Sequence, residues 1–188
     1  MSTVFSTALA NGVKPVLSVG GWGYGSSMYS AMVSTNASRA AFISSLHDLV
    51  DQYGITGIDI DWEYPGRPSD ESVPYSADDI PNYLLFLQEL KAEFGDTITL
   101  SAAVAAVTPF SEDVSEMADL FDWVGLMFYD FATGSPSSTV SDSPLKGSVS
   151  AESGTEAWHE AGLPYDKMVF GIPSYGRSFT LVDVPPTP

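Results

Sequence analysis

Five apolar segments of strand length alternate with helical patterns along this chain, and that alternation constrains the fold more than any other feature. The segments are KPVLSVGGW (14–22), GIDIDWEY (57–64), TITLSAAVA (97–105), DWVGLMFYD (122–130) and KMVFGIPSY (167–175). Between the first two, NASRAAFISSLHDLVDQYG predicts a helix capped at Asn36 and stopped at Gly54, with Phe42, Leu46 and Val50 four apart on one face. DDIPNYLLFLQELKAEFG predicts another from near Asp78 to Gly95, and shorter helices fit Val4–Ala10, Glu112–Leu120 and Glu152–Ala161. Polar loops rich in Gly, Pro and Ser follow the second and fourth strands (65–79 and 133–150). No short-period repeat and no linker divides the chain, so residues 1–188 are expected to form part of one domain.

Repeated strand–helix alternation argues for parallel βαβ units in an α/β fold. The residues with unusual chemistry stand at the C-terminal ends of several strands, where (β/α)₈ barrels carry their active sites. No glycine-rich phosphate turn follows a strand, as a doubly wound dinucleotide fold would need. A complete barrel takes about 250 residues and eight strands. The expectation is therefore a TIM barrel that is incomplete in this chain, and poorly stable or inactive by itself because of its open edges.

Charge narrows the partners. The net charge is −17, from 24 acids against 7 bases. That balance excludes nucleic acid, whose phosphates call for clustered Lys and Arg, and an anionic membrane surface. A neutral substrate is the easy fit. The chain has no Cys, hence no disulfide and no thiolate metal site. MSTVFSTALANG lacks a basic n-region and a cleavage site, and so does not read as an ordinary signal peptide.

The second strand poses the chemical question. Side chains alternate across a strand, so Asp59, Asp61 and Glu63 share one face while Ile58, Ile60 and Trp62 share the other. Strands of parallel sheets are covered on both faces, and a buried carboxylate must be paired, hydrogen-bonded or protonated. A solvated polar face and a Mg²⁺ site are the bland alternatives; the second lacks a basic phosphate loop beside it. Acid–base chemistry fits better, because like charges in one row push pKa values apart until one group keeps a proton near neutral pH. Glu63, nearest the barrel mouth, is the natural proton donor. Asp61 and Glu63 approach a bond from the same side, whereas the usual two-carboxylate glycosidases flank it. The row has no opposing nucleophile, so the substrate has to bring its own.

GIDIDWEYPG resembles the signature of the family 18 glycoside hydrolases, the chitinase family, whose pattern is Asp-Gly-x-Asp-x-Asp-x-Glu. LSVGGW (17–22), GLMFYDF (125–131) and GIPSYGRSF (171–179) resemble that family's Ser-x-Gly-Gly, Met-x-Tyr-Asp and seventh-strand motifs, in family order. The style is closest to fungal secreted chitinases, which implies an extracellular location. The resemblance implies barrel strands three to seven, with two strands before Met1 and an eighth, bearing a tryptophan, after Pro188. By motif, Glu63 is then the general acid and base, Asp61 orients the substrate's N-acetyl group, and Asp59 shares a proton with Asp61. Tyr129 would hydrogen-bond the acetyl oxygen. Met127 and Asp130 would line the cleaved sugar's site, and Trp22, Tyr175 and Arg177 would contact sugars along the cleft. The acetamido oxygen acts as nucleophile in this family, an exception to the two-carboxylate scheme.

The resemblance thus implies cleavage of β-1,4-linked N-acetylglucosamine polymers, with chitin or its oligosaccharides as partner and neither cofactor nor metal. One signature position departs: Thr56 stands where the family has its first Asp, expected at the buried base of the acid row. Ser18 reads as support for that base, His47 and His159 as structural or solvated, and the Met residues as core. Three rivals remain: a non-catalytic glycan-binding protein on the same fold, an endo-β-N-acetylglucosaminidase acting on N-glycans, and an inactive fragment.

Overall fold

The computed structural model describes residues 2–68, 71–111, 113–132 and 139–180. Five strands form one parallel sheet: β1 (Val16–Gly20), β2 (Gly57–Asp61), β3 (Thr99–Ala105), β4 (Trp123–Met127) and β5 (Met168–Phe170). Their order in space is their order in sequence. A doubly wound sheet reverses order at a switch point; this one does not, and it has the singly wound topology of a barrel. Among the described residues β1 and β5 each pair on one side, so the sheet is open. At the β5 edge Val169, Phe170 and Ile172 stay exposed, the last at 84%.

The helices are α1 (Ser2–Ala10), α2 (Tyr29–Val33), α3 (Asn36–Tyr53), α4 (Asp79–Phe94), α5 (Ser115–Leu120) and α6 (Ala151–Glu160). The α3 cap is Thr35 rather than Asn36: its hydroxyl accepts the Ser38 N–H at 3.1 Å. Gly54 closes α3 in the left-handed region at φ +64°, which glycine adopts without strain. The sequence reading missed α2. It has a single turn and no capping side chain, so it exists by packing and not by propensity. The expected helix from Glu112 starts at Ser115, and Glu112 itself lies outside the described residues.

The core lies between sheet and helices. Ile58 and Ile60 are fully buried and Trp62 is 3% exposed, against Leu46, Phe86 and Leu90 of α3 and α4. Each such side chain contributes about 1.5–3 kcal/mol on leaving water. Trp62 stacks on Tyr29 at 5.1 Å and meets Tyr83 edge-on at 5.3 Å, which ties α2 and α4 to the end of β2. The other face differs from the expectation of burial on both sides. Ser18 is exposed, and Asp59, Asp61 and Trp123 are half-buried, because the sheet does not close over them. Met28 likewise departs from the core reading, at 64% exposure.

Candidate active site

Strand register, more than sequence order, decides the neighbours of each acid. Ser18, Asp59, Ser101 and Trp123 lie in one row across β1 to β4. Asp59 therefore accepts hydrogen bonds from Ser18 at 2.9 Å and Ser101 at 2.7 Å, one to each carboxylate oxygen. The next row outward is Gly20, Asp61, Ala103 and Gly125. These small residues offer no side-chain donor, and the buried Oδ1 of Asp61 has no hydrogen-bond partner among the described residues. Two neighbouring aspartates on one strand thus have opposite environments. Asp59 is held at both oxygens, and Asp61 keeps one buried oxygen without a partner.

The electrostatics follow. Burial, with Glu63 and Asp59 as like-charged neighbours, pushes Asp61 up to about 7. Burial also pushes Glu63 above the usual carboxylate range, a hydrogen bond from the Tyr64 hydroxyl pulls it back, and Asp130 pushes it up. Glu63 is 7% exposed. Burial and the acids Asp61 and Glu63 keep the Tyr129 hydroxyl protonated, a neutral donor. A carboxyl group that keeps its proton up to about 7, beside a second carboxyl pushed above its usual range and a phenol held protonated, is the kind of perturbed cluster that gathers at functional sites.

The acids open into a cavity of about 460 Å³ beyond the C-terminal ends of the strands. Asp61, Glu63 and Tyr64 line it from the end of β2 and just beyond, Ala105, Ala106 and Val107 from the end of β3 and just beyond, and Met127, Tyr129, Asp130 and Phe131 from the end of β4 and just beyond. Trp22, 61% exposed, lines it from the turn after β1. Six residues named from sequence, Trp22, Asp61, Glu63, Met127, Tyr129 and Asp130, therefore share one cavity. Asp59 lies one row deeper. Tyr175 and Arg177 stand beside it: Tyr175 meets the Tyr129 ring edge-on at 6.3 Å, and Arg177 binds Asp130 and Asp142. Asp130 takes a left-handed backbone at φ +63°, unusual for a residue with a side chain.

Sequence reasoning missed Ser101, Tyr64 and Asp142. Ser101 is a polar residue inside an apolar strand, a signal that was available; Asp142 sits in a polar loop and gave none. Tyr64 follows Glu63, and the Arg67 guanidinium lies 4.6 Å above its ring. Thr56 calls for a correction. Its hydroxyl donates to the Pro15 carbonyl at 2.9 Å, joining the entries of β1 and β2, and by strand parity it falls off the face of the acid row. His47 is half-exposed between Asp51 and Glu93, while His159 lies within α6 and stacks on Tyr165 at 3.8 Å. Among the described residues no group of three or more His, Asp or Glu could hold a metal, and no helix is long and apolar enough to cross a membrane.

The sequence profile of glycosyl hydrolases family 18 matches residues 2–187. The chain belongs to that family. This family 18 chain is 37% identical over 186 residues to a chitinase-like effector of Moniliophthora roreri, covering 91% of the chain and 45% of that relative. It is 35% identical to a probable endochitinase of Caenorhabditis elegans, covering 90% of the chain and 29% of that protein. Among solved structures, it superposes on a Group IV chitinase of Ostrinia furnacalis in complex with allosamidin with a TM-score of 0.86 at 32% identity, covering 97% of the chain and 52% of the other. A chitinase of Rhizomucor miehei gives 0.86 at 30% identity, covering 95% and 56%. The chain thus spans less than half the length of the curated relatives it matches, and its open five-stranded sheet is part of a TIM-barrel fold.

Proposed function

We propose that this family 18 chain belongs to the catalytic domain of an extracellular chitinase that cleaves β-1,4-linked N-acetylglucosamine polymers with help from the substrate's own acetamide. One observation carries the reading. Asp61, whose buried Oδ1 has no partner among the described residues, titrates near 7 between a hydrogen-bonded Asp59 and a Glu63 raised above its usual range, in a cavity lined by Trp22, Tyr64, Tyr129 and Phe131.

Glu63 donates its proton to the glycosidic oxygen as the bond to the anomeric carbon breaks. The acetamido oxygen attacks that carbon from the other side and forms an oxazolinium ring. Asp61 receives the acetamide N–H and stabilises the positive charge, and Tyr129 donates to the acetyl oxygen before attack. Glu63, now ionised, takes a proton from water, which opens the ring with net retention. Asp130 does not compete as a nucleophile, because Arg177 engages it. Among the described residues no free carboxylate opposes the acid row, which favours substrate assistance over a two-carboxylate scheme.

Glu63→Gln tests the reading: hydrolysis of chitin oligosaccharides should fall by about 10²–10⁴-fold, the usual contribution of a general acid, while their affinity stays. Equal loss of turnover and affinity would refute the assignment. A second reading is oligosaccharide binding without turnover. The name chitinase-like effector on one relative favours it, and the presence of Glu63 argues against it. A wild-type protein that binds chitin oligosaccharides and cleaves none of them decides for binding. Comparing turnover on chitin oligosaccharides with release of N-glycans separates chitinase from endo-β-N-acetylglucosaminidase.

A further inference from the structure

What holds Glu63 in place lies outside the four motifs. Glu63 is two residues past the end of β2 at Asp61, so no strand ladder fixes its backbone. The turn after β1 supplies the grip instead. The Gly21 N–H donates to the Asp61 carbonyl at 2.7 Å. Two glycines permit this close wrap: a Cβ on Gly20 would stand 2.1 Å from the Asp61 carbonyl oxygen, and one on Gly25 2.3 Å from that of Gly20. The wrap delivers Ser26, fully buried, to the back of Glu63. Its hydroxyl donates to the Gly21 carbonyl at 2.8 Å and accepts the Glu63 backbone N–H at 2.7 Å. A hydroxyl has one proton; spending it on Gly21 turns a lone pair toward Glu63 and sets the angle of that bond.

The residues just after Ser26 reinforce the grip on either side. Tyr29 stacks on Trp62 and donates to the Val19 carbonyl at 2.7 Å. Ser30 donates to Asp79 at 2.7 Å, and the other Asp79 oxygen accepts the N–H groups of Ser76 at 2.8 Å and Gly66 at 3.4 Å. Residues 26–30 therefore reach the chain before Glu63, at Glu63 and after it. Packing alone would explain the contacts at 62 and 66. It does not explain a buried serine placed on the backbone of the acid itself.

We propose that Ser26 is a positioning residue for the general acid: through the Glu63 backbone it sets the direction in which that side chain leaves β2, and so where its carboxyl group meets the leaving oxygen. The proposal rests on the hydrolase reading above. Misplacing a reacting group by about 1 Å costs about 10²-fold, and general acid catalysis contributes about 10²–10⁴-fold. That loss is specific to substrates that need a proton. A dinitrophenyl glycoside expels a leaving group that is stable as an anion, so it bypasses the acid.

The test compares Ser26→Ala with wild type in the full chain on two substrates, a chitin oligosaccharide and the dinitrophenyl glycoside of the same sugar. The alanine variant should lose roughly 10- to 100-fold in kcat on the oligosaccharide with KM unchanged, and at least about tenfold less than that on the aryl glycoside. Ser26→Cys, close in size but a weak acceptor, should show the same selectivity in smaller measure, and it carries the test if the alanine variant does not fold. Equal losses on both substrates, a loss carried in KM, or no loss at all would overturn the positioning role. A wild-type protein that cleaves neither substrate would instead overturn the hydrolase reading beneath it.

Discussion

Replacing Asp61 with asparagine should stabilise the protein, and only above a defined pH. Asp61 titrates near 7 in the folded chain instead of the 3.8 of an unperturbed aspartate, chiefly because burial disfavours its charge. Below about pH 4 the group is protonated in folded and unfolded chains alike, and burying a carboxyl or a carboxamide costs about the same. As pH rises the unfolded chain ionises first, while the folded chain keeps its proton. The stability that the protonated acid retains is therefore lost progressively up to about pH 7, and the deficit is constant beyond. At about 1.36 kcal/mol per pH unit the full deficit is roughly 4 kcal/mol; partial exposure of Asp61 to solvent screens it to about 2 kcal/mol. Asparagine is nearly isosteric and carries no charge. Thermal unfolding of Asp61→Asn should therefore lie about 4–8 °C above wild type near pH 8.5 and coincide with it near pH 4. A pH-independent offset, or an asparagine variant less stable at the higher pH, would refute the claim that Asp61 is held at a cost in stability.

Two further substitutions separate fold from site. Gly20→Ala drives a Cβ into the Asp61 carbonyl at a backbone φ of +114°, so urea unfolding should show a loss of about 3 kcal/mol or more, or no soluble protein. Wild-type stability in that variant would mean the wrap around β2 is looser than described. Trp22→Ala should leave the melting temperature unchanged, since the ring is 61% exposed, yet weaken oligosaccharide binding by about fivefold, roughly 1 kcal/mol of stacking. Calorimetric titration with a chitin oligosaccharide reads this directly, and unaltered affinity removes Trp22 from the sugar-binding wall.

Much of the site was legible because it rests on strand period. Alternation along residues 58–63 separates Ile58, Ile60 and Trp62 from Asp59, Asp61 and Glu63 whatever the sheet does, and the structure separates them in that way. Glycines at helix ends were equally legible: Gly54 and Gly95 both close helices with positive φ. The small helix α2 was not legible, since five residues without a cap carry no periodic signal. Neither was the half-open acid face, which follows from which strands are present to cover it. Thr56 was placed by its position in a motif and sits elsewhere, because strand parity and the Pro15 carbonyl decide where its hydroxyl goes.

The covalent chain by itself determined which residues share a face, where helices stop, and that carboxylates would gather at strand ends, because backbone geometry repeats every two or 3.6 residues and needs no partner. It did not determine that Asp59 would be held at both oxygens while Asp61 keeps one without a partner. That difference comes from sheet register, which sets Ser18 and Ser101 beside one acid and Gly20 and Ala103 beside the next. Nor did it determine that Ser26 would hold Glu63 across 37 residues of sequence. Register and long-range contact are chosen by the packing of the whole sheet against its helices, so the chemistry of each acid was a tertiary decision.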